Sequence, residues 1–106
     1  MSEAIKKKIV QLGIEQERRN RIRLSVAAYA YEYKDDPIMS DGDFDELSKQ
    51  IDITVKTGNR KIDNFFKKHF APETGMWIRK HPEKNKLDYI YRNYYDKNST
   101  LCGVQG

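Results

Sequence analysis

The tripeptide Asp35-Asp36-Pro37 constrains this chain more than any other segment. Proline disfavours helical geometry in the residue before it, so a helix arriving here must stop. Upstream, residues 14–34 contain no proline and place Ile22, Val26, Tyr29 and Tyr33 on one helical face, which Leu24, Ala28 and Tyr31 widen. Downstream, Ser40 followed three residues later by Asp43 has the form of a capping box. Phe44, Leu47 and Ile51 then recur at helical spacing. So short a connection between two amphipathic helices predicts an antiparallel hairpin. Ala27, Ala28 and Ala30 are small enough to let a second helix approach closely.

The remaining chain reads as further helix. Ile5, Ile9 and Leu12 form a stripe over residues 3–12, and Gly13 either breaks this helix from the next or weakens one longer helix. Residues 51–55 alternate apolar and polar side chains, the pattern of a short extended segment that has no partner strand. A third helix is expected over residues 60–70, with Ile62, Phe65, Phe66 and Phe70 facing inward. Met76, Trp77 and Ile78 form a short apolar clasp. His81-Pro82 opens a last helix to about residue 95, with Leu87, Ile90, Tyr91 and Tyr94 on its apolar face. Residues 96–106 lack periodicity and are expected to be disordered. The predicted fold class is mainly α: one small domain over residues 1–95, built of four or five helices around the N-terminal hairpin. Its two parts are the hairpin of residues 14–51 and an aromatic, basic half of residues 60–95.

With 38% of 106 residues apolar or aromatic, the core is modest and few large side chains can be wasted. No apolar run is long enough to span a bilayer, and the N-terminus lacks the core of a signal peptide. The single cysteine, Cys102, has no internal disulfide partner, which suits a reducing compartment. A cytoplasmic protein without membrane contact is expected.

The charge is segregated. Residues 1–34 carry eight basic and four acidic side chains, residues 35–53 one and seven, and residues 54–106 eleven and five. Either these blocks neutralise one another within the fold or they form a bipolar surface that meets charged partners. The acidic candidates for contact with a ligand or partner are Asp36, Asp41, Asp43, Asp45 and Glu46, beside the aromatic helix end at Tyr31. Capping and the helix dipole already give Asp41 and Asp43 a structural reason to be there. The basic candidates are Arg18, Arg19, Arg21 and Arg23 together with Lys6, Lys7 and Lys8, and Lys67, Lys68, Arg79 and Lys80 among aromatic residues. Such cations can contact phosphates while Tyr89 and Tyr95 stack bases, or they can form solvated helix faces.

Other chemistries lack their residues. His69 and His81 have no cysteine pair or second histidine at zinc-ligand spacing, and the acidic cluster lacks the dense oxygen loop of a calcium site. No glycine-rich phosphate loop and no nucleophile constellation is present, so an enzyme is not expected, and neither a cofactor nor a metal.

Tyr31, Asp36, Pro37, Ser40, Asp41, Asp45 and Leu47 match a longer pattern: a Tyr-rich helix end, an Asp-Pro turn and a second helix opening on paired aspartates. Over residues 14–51 this resembles the N-terminal segment, domain Ia, of NAD-dependent DNA ligases. The resemblance implies a hairpin that folds over the nicotinamide mononucleotide half of NAD, with Tyr31, Asp41 and Asp45 at the positions of family ligand contacts. Glu32 stands where the family has His and Phe44 where it has Tyr. The carboxylate adds repulsion towards a phosphate, and the missing phenol removes a polar contact of about 0.5–1.5 kcal/mol. The Lys-x-Asp-Gly nucleophile motif, the nucleotidyltransferase core and the zinc-binding cysteines of the ligases have no counterpart in this sequence. Residues 52–106 resemble, in aromatic and basic content, the small accessory proteins that bacteriophages encode.

These readings lead to one main expectation. The chain is a non-catalytic binding protein that docks its acidic hairpin on a host protein with a basic surface, such as a nucleic-acid enzyme or defence complex, and modulates or inhibits it. The alternatives are a module for nicotinamide mononucleotide or NAD, and a direct nucleic-acid binder.

Overall fold

A computed structural model describes residues 3–96. It contains helix α1 (Glu3–Lys34), α2 (Asp41–Gln50), α3 (Arg60–His69), a 3-10 helix (Met76–Lys80) and α4 (Lys84–Tyr94). The fold class is the expected one, mainly helical with an N-terminal hairpin, and no strand occurs among the described residues. Residues 51–55 contain a turn instead, closed by the Val55 amide on the Asp52 carbonyl at 3.2 Å, since an isolated alternating segment finds no ladder to join.

Gly13 does not break α1. Its surroundings are open, with nothing within 4 Å of a Cβ built there. A glycine inside a helix costs about 1 kcal/mol, too little to interrupt a helix anchored further along. The anchor lies at residues 24–30, all buried: Leu24, Ser25, Val26, Ala27, Ala28, Tyr29 and Ala30. A helix buried around its whole circumference is an axle, not an amphipathic surface element. Here α2, the 3-10 helix and α4 each pack against α1, and the alanines permit their approach. Outside this zone the expected stripe fails: Ile9, Leu12, Ile22 and Tyr33 are exposed.

Helix α1 ends where the sequence requires. Asp35 takes the left-handed conformation at φ 50°, and the Asp36 amide donates to the Ala30 carbonyl at 3.1 Å. Ser40 then caps α2, its Oγ accepting the Asp43 amide at 3.1 Å. Leu47 and Ser48 are buried against α1, with Phe44 and Ile51 packed on the same core. Asn59 caps α3 in the same way through the Ile62 amide. Phe65 and Phe66 are buried, and the rings of Phe65, Phe66 and Phe70 all lie within 6.0 Å of Trp77. Leu87 and Tyr91 of α4 complete the core. Tyr94, expected on the same face, is 72% exposed at the last residue of α4, and Tyr91 supplies the buried ring of that turn.

A polar network replaces apolar packing between α1, the loop of residues 52–57 and α3. Arg21 is 2% exposed. Its Nε donates to Glu17 at 2.7 Å, its Nη1 to Asp63 at 2.8 Å, and its Nη2 to the carbonyls of Asp52 and Val55 at 2.8 and 3.0 Å. The guanidinium also lies over the Phe66 ring, 5.1 Å from its centroid. Glu17 returns a bond by accepting the Asp52 amide, and Asp63 accepts the Thr57 amide and hydroxyl. Burial alone would raise the pKa of Asp63, but the bonds from Thr57 and Arg21 outweigh it and hold it below the usual carboxylate range.

His81 is buried against Phe65, ring centroids 4.9 Å apart. Its Nδ1 accepts the Glu83 amide at 3.0 Å, so the neutral ring carries its proton on Nε2. Burial pushes its pKa down to about 4. The disorder expected over residues 96–106 concerns residues outside those described, except Asp96. The Asp96 amide donates to the Tyr91 carbonyl at 2.9 Å. Lys6, Lys7, Lys8 and Cys102 carry expectations that lie outside the described side chains.

Candidate binding site on the helical hairpin

Because α2 turns Phe44, Leu47 and Ser48 inward, the helical period turns its acidic residues outward. Asp41, Asp43, Asp45 and Glu46 are all exposed, and none forms an ion pair among the described residues. They fan across the solvent side of α2. Asp41 flanks a cavity shared with Tyr31, whereas Asp43 and Glu46 line a groove with Arg23 and Tyr95. Tyr31 itself is 65% exposed.

Asp36 departs from this group. Its Oδ2 accepts the Tyr91 hydroxyl at 2.7 Å, half-buried between the turn and α4. Asp36 therefore ties the hairpin turn to α4 and is not part of the free rim. Burial and this bond push the Tyr91 phenol up to about 12. Tyr29 is bound likewise through Asp88 at 2.9 Å, and burial and Asp88 raise it to about 12. Asp88 also pairs with Lys34 and Arg92, at 3.1 and 2.9 Å. Burial raises Asp88, and the hydrogen bonds from Lys34 and Tyr29 overcome it, leaving its pKa lowered.

Tyr31, Glu32, Asp41 and Phe44 meet around a cavity of about 170 Å³, with Ala27 and Ala28 lining it from α1 and Met39 and Met76 at its sides. Gly75 closes it. A Cβ there would sit 3.4 Å from Cζ of Phe44 and 3.8 Å from Cβ of Ala28, ordinary contact distances that place the loop against the phenyl ring. Glu32, read from the sequence as a source of repulsion, is neutralised. Arg79 donates to its Oε1 through Nε at 2.7 Å and lies within 2.5 Å through Nη2. Arg79 belongs to the 3-10 helix and lies 47 residues further along the chain, so no local pattern announced the pair.

The basic candidates do not assemble into one face. Helical geometry sends Arg21 into the core, where its exposure of 2% removes it from any phosphate contact. Arg18 donates to the Thr57 carbonyl. Arg23 faces the α2 groove, and Arg19 is exposed. Arg79 is held by Glu32, while Lys67, Lys68 and Lys80 are exposed and form no ion pair among the described residues. No group of three or more metal-ligating side chains occurs among the described residues, and none of their helices is long and apolar enough to cross a membrane.

Fold and rim together define a small all-α domain with an acidic, aromatic-edged hairpin. No protein family matches this chain, and no curated protein or solved structure does so either.

Proposed function

We propose that this protein is a non-catalytic binding protein, of the kind bacteriophages encode, that docks its acidic hairpin on a host protein with a basic surface and modulates or inhibits it. The supporting observation is a contrast among carboxylates. Glu17, Glu32, Asp36, Asp63 and Asp88 are each engaged by a partner inside the fold, whereas Asp41, Asp43, Asp45 and Glu46 stand exposed and without ion pairs among the described residues. Four carboxylates against the single Lys49 on one helix steer a basic partner and fix its register at small desolvation cost. Tyr31 beside them supplies an amphipathic ring of the kind that anchors interfaces. The double substitution Asp41→Lys/Asp45→Lys abolishes capture of the partner; capture that survives it refutes the reading.

A second reading is a module for nicotinamide mononucleotide or NAD. Its support is the convergence of Tyr31, Glu32, Asp41 and Phe44 on one cavity, together with the neutralisation of Glu32 by Arg79. A cavity of about 170 Å³ holds one planar ring and leaves the rest of a nucleotide at the mouth beside Tyr31. Titration calorimetry with both ligands tests it, and no heat at millimolar concentration removes it.

A further inference from the structure

Helix α3 is joined to the fold asymmetrically. Its backbone packs on the 3-10 helix, whereas α1 and α4 are reached only through side chains. The Arg21–Asp63 pair and the bond from Arg18 to the Thr57 carbonyl brace one end of the gap. What remains between the three helices is a wedge of about 500 Å³. That is the size of pockets that enclose small organic ligands, roughly 300–1,000 Å³. Ile22 of α1, Ile62 and Phe66 of α3, and Leu87 and Ile90 of α4 give it apolar walls.

Two further observations set the wedge apart from loose packing. Ser25 lines it at 1% exposure, and its hydroxyl has no hydrogen-bond partner among the described residues. A buried polar group left unsatisfied costs about 1–3 kcal/mol, and in the wall of a cavity a ligand atom can offset that cost. Of the three cations that line the wedge, Arg21 is held by Glu17 and Asp63, and Lys86 by Glu83 at 2.9 Å, which leaves Arg18. Arg18 is exposed and has no carboxylate partner among the described residues. His81 lines the same space, and its Nε2–H meets no acceptor among the described residues.

We propose that the wedge between α1, α3 and α4 is a binding site for a small, flat apolar molecule carrying one anionic group. The apolar body lies between Ile62, Phe66, Leu87 and Ile90, and the anion sits at the mouth beside Arg18 and Lys86. This site is separate from the hairpin cavity, with which it shares no lining residue.

Two probes with one carbon skeleton test the proposal on the full chain: 8-anilinonaphthalene-1-sulfonate and its uncharged analogue N-phenyl-1-naphthylamine. The sulfonate is expected to bind one-to-one and at least about tenfold tighter than the neutral probe, since charge-assisted bonds to guanidinium are strong. Arg18→Gln should bring the sulfonate to the level of the neutral probe and leave the neutral probe unchanged. Ile22→Trp fills the wedge from a half-exposed position and should weaken both probes about tenfold or more, with helicity and cooperative melting retained. Methyl NMR of the unaltered protein gives an independent readout. Shifts should appear at Ile62, Leu87 and Ile90, not at Ile38 and Met76 of the hairpin cavity. Equal affinity for both probes, sulfonate binding unaffected by Ile22→Trp, shifts confined to the hairpin cavity, or no binding at millimolar probe would each overturn it.

Discussion

Two sides of α1 treat the same chemical group in opposite ways. Towards α3, carboxylates are held: Glu17 and Asp63 clamp a buried arginine that makes four hydrogen bonds, two to side chains and two to carbonyls. Towards α2, carboxylates are left alone: four stand in water on one short helix, with no cation within ion-pair distance among the described residues. The first side teaches what this small domain needs for folding, because the loop of residues 52–57 has too few apolar groups to dock without Arg21. The second side carries charge beyond what capping and the helix dipole use, since Asp45 and Glu46 lie past the first turn of α2. Charge without an internal role is where recognition of a partner is cheapest.

The sharpest way to break this contrast is to remove the arginine. Arg21→Met leaves Glu17 and Asp63 buried without a counter-charge, and loss of one partner from a buried pair costs about 3–5 kcal/mol. A large drop in the urea midpoint is expected, together with loosening of α3. Retention of wild-type stability would mean that the network does not hold the loop.

The next largest effect is one of pH. His81 is neutral and buried, with its pKa lowered from 6.5 to about 4. The unfolded chain takes up the proton first, so this contribution is fully present above about pH 6.5 and is lost as pH falls to about 4. The shift corresponds to about 3 kcal/mol. His81→Asn keeps an acceptor for the Glu83 amide and removes the titration, so its stability should change less across that window in denaturant melts at stepped pH.

Ser40→Ala deletes the cap of α2 and should cost about 1 kcal/mol, measured by the same melts. Smallest of all is reversal of the rim. Asp45→Lys and Glu46→Lys touch exposed residues outside the first turn and should change stability by no more than about 0.5 kcal/mol. A large loss there would show that the rim serves the fold.

The hairpin was legible in the sequence because its signals are local. Asp35, Pro37, Ser40 and Asp43 act on their own neighbours, and the Phe65–Phe66 stripe follows from helical period. Arg21 was not legible. Its partner Asp63 lies 42 residues away, and beside Arg18, Arg19 and Arg23 it looks like one more surface cation. Asp36 was misread among the exposed acids for the same reason, since Tyr91 is 55 residues away. The neutralisation of Glu32 by Arg79 and the wedge beneath α3 arise only when distant segments meet. Period alone also overstated burial at Ile22, Tyr33 and Tyr94, because a stripe predicts a face and not whether a neighbour reaches it. The ligase-like pattern set Tyr31, Asp41 and Asp45 together. In the fold Tyr31 and Asp41 share a cavity, and Asp45 stands outside it.

The most direct test of the account compares three baits in one bacterial lysate by quantitative mass spectrometry: the unaltered protein, Asp41→Lys/Asp45→Lys, and Lys67→Glu/Lys68→Glu on the opposite half. The account predicts a basic host protein retained by the first and third baits and lost from the second. The same protein retained equally by all three would contradict it.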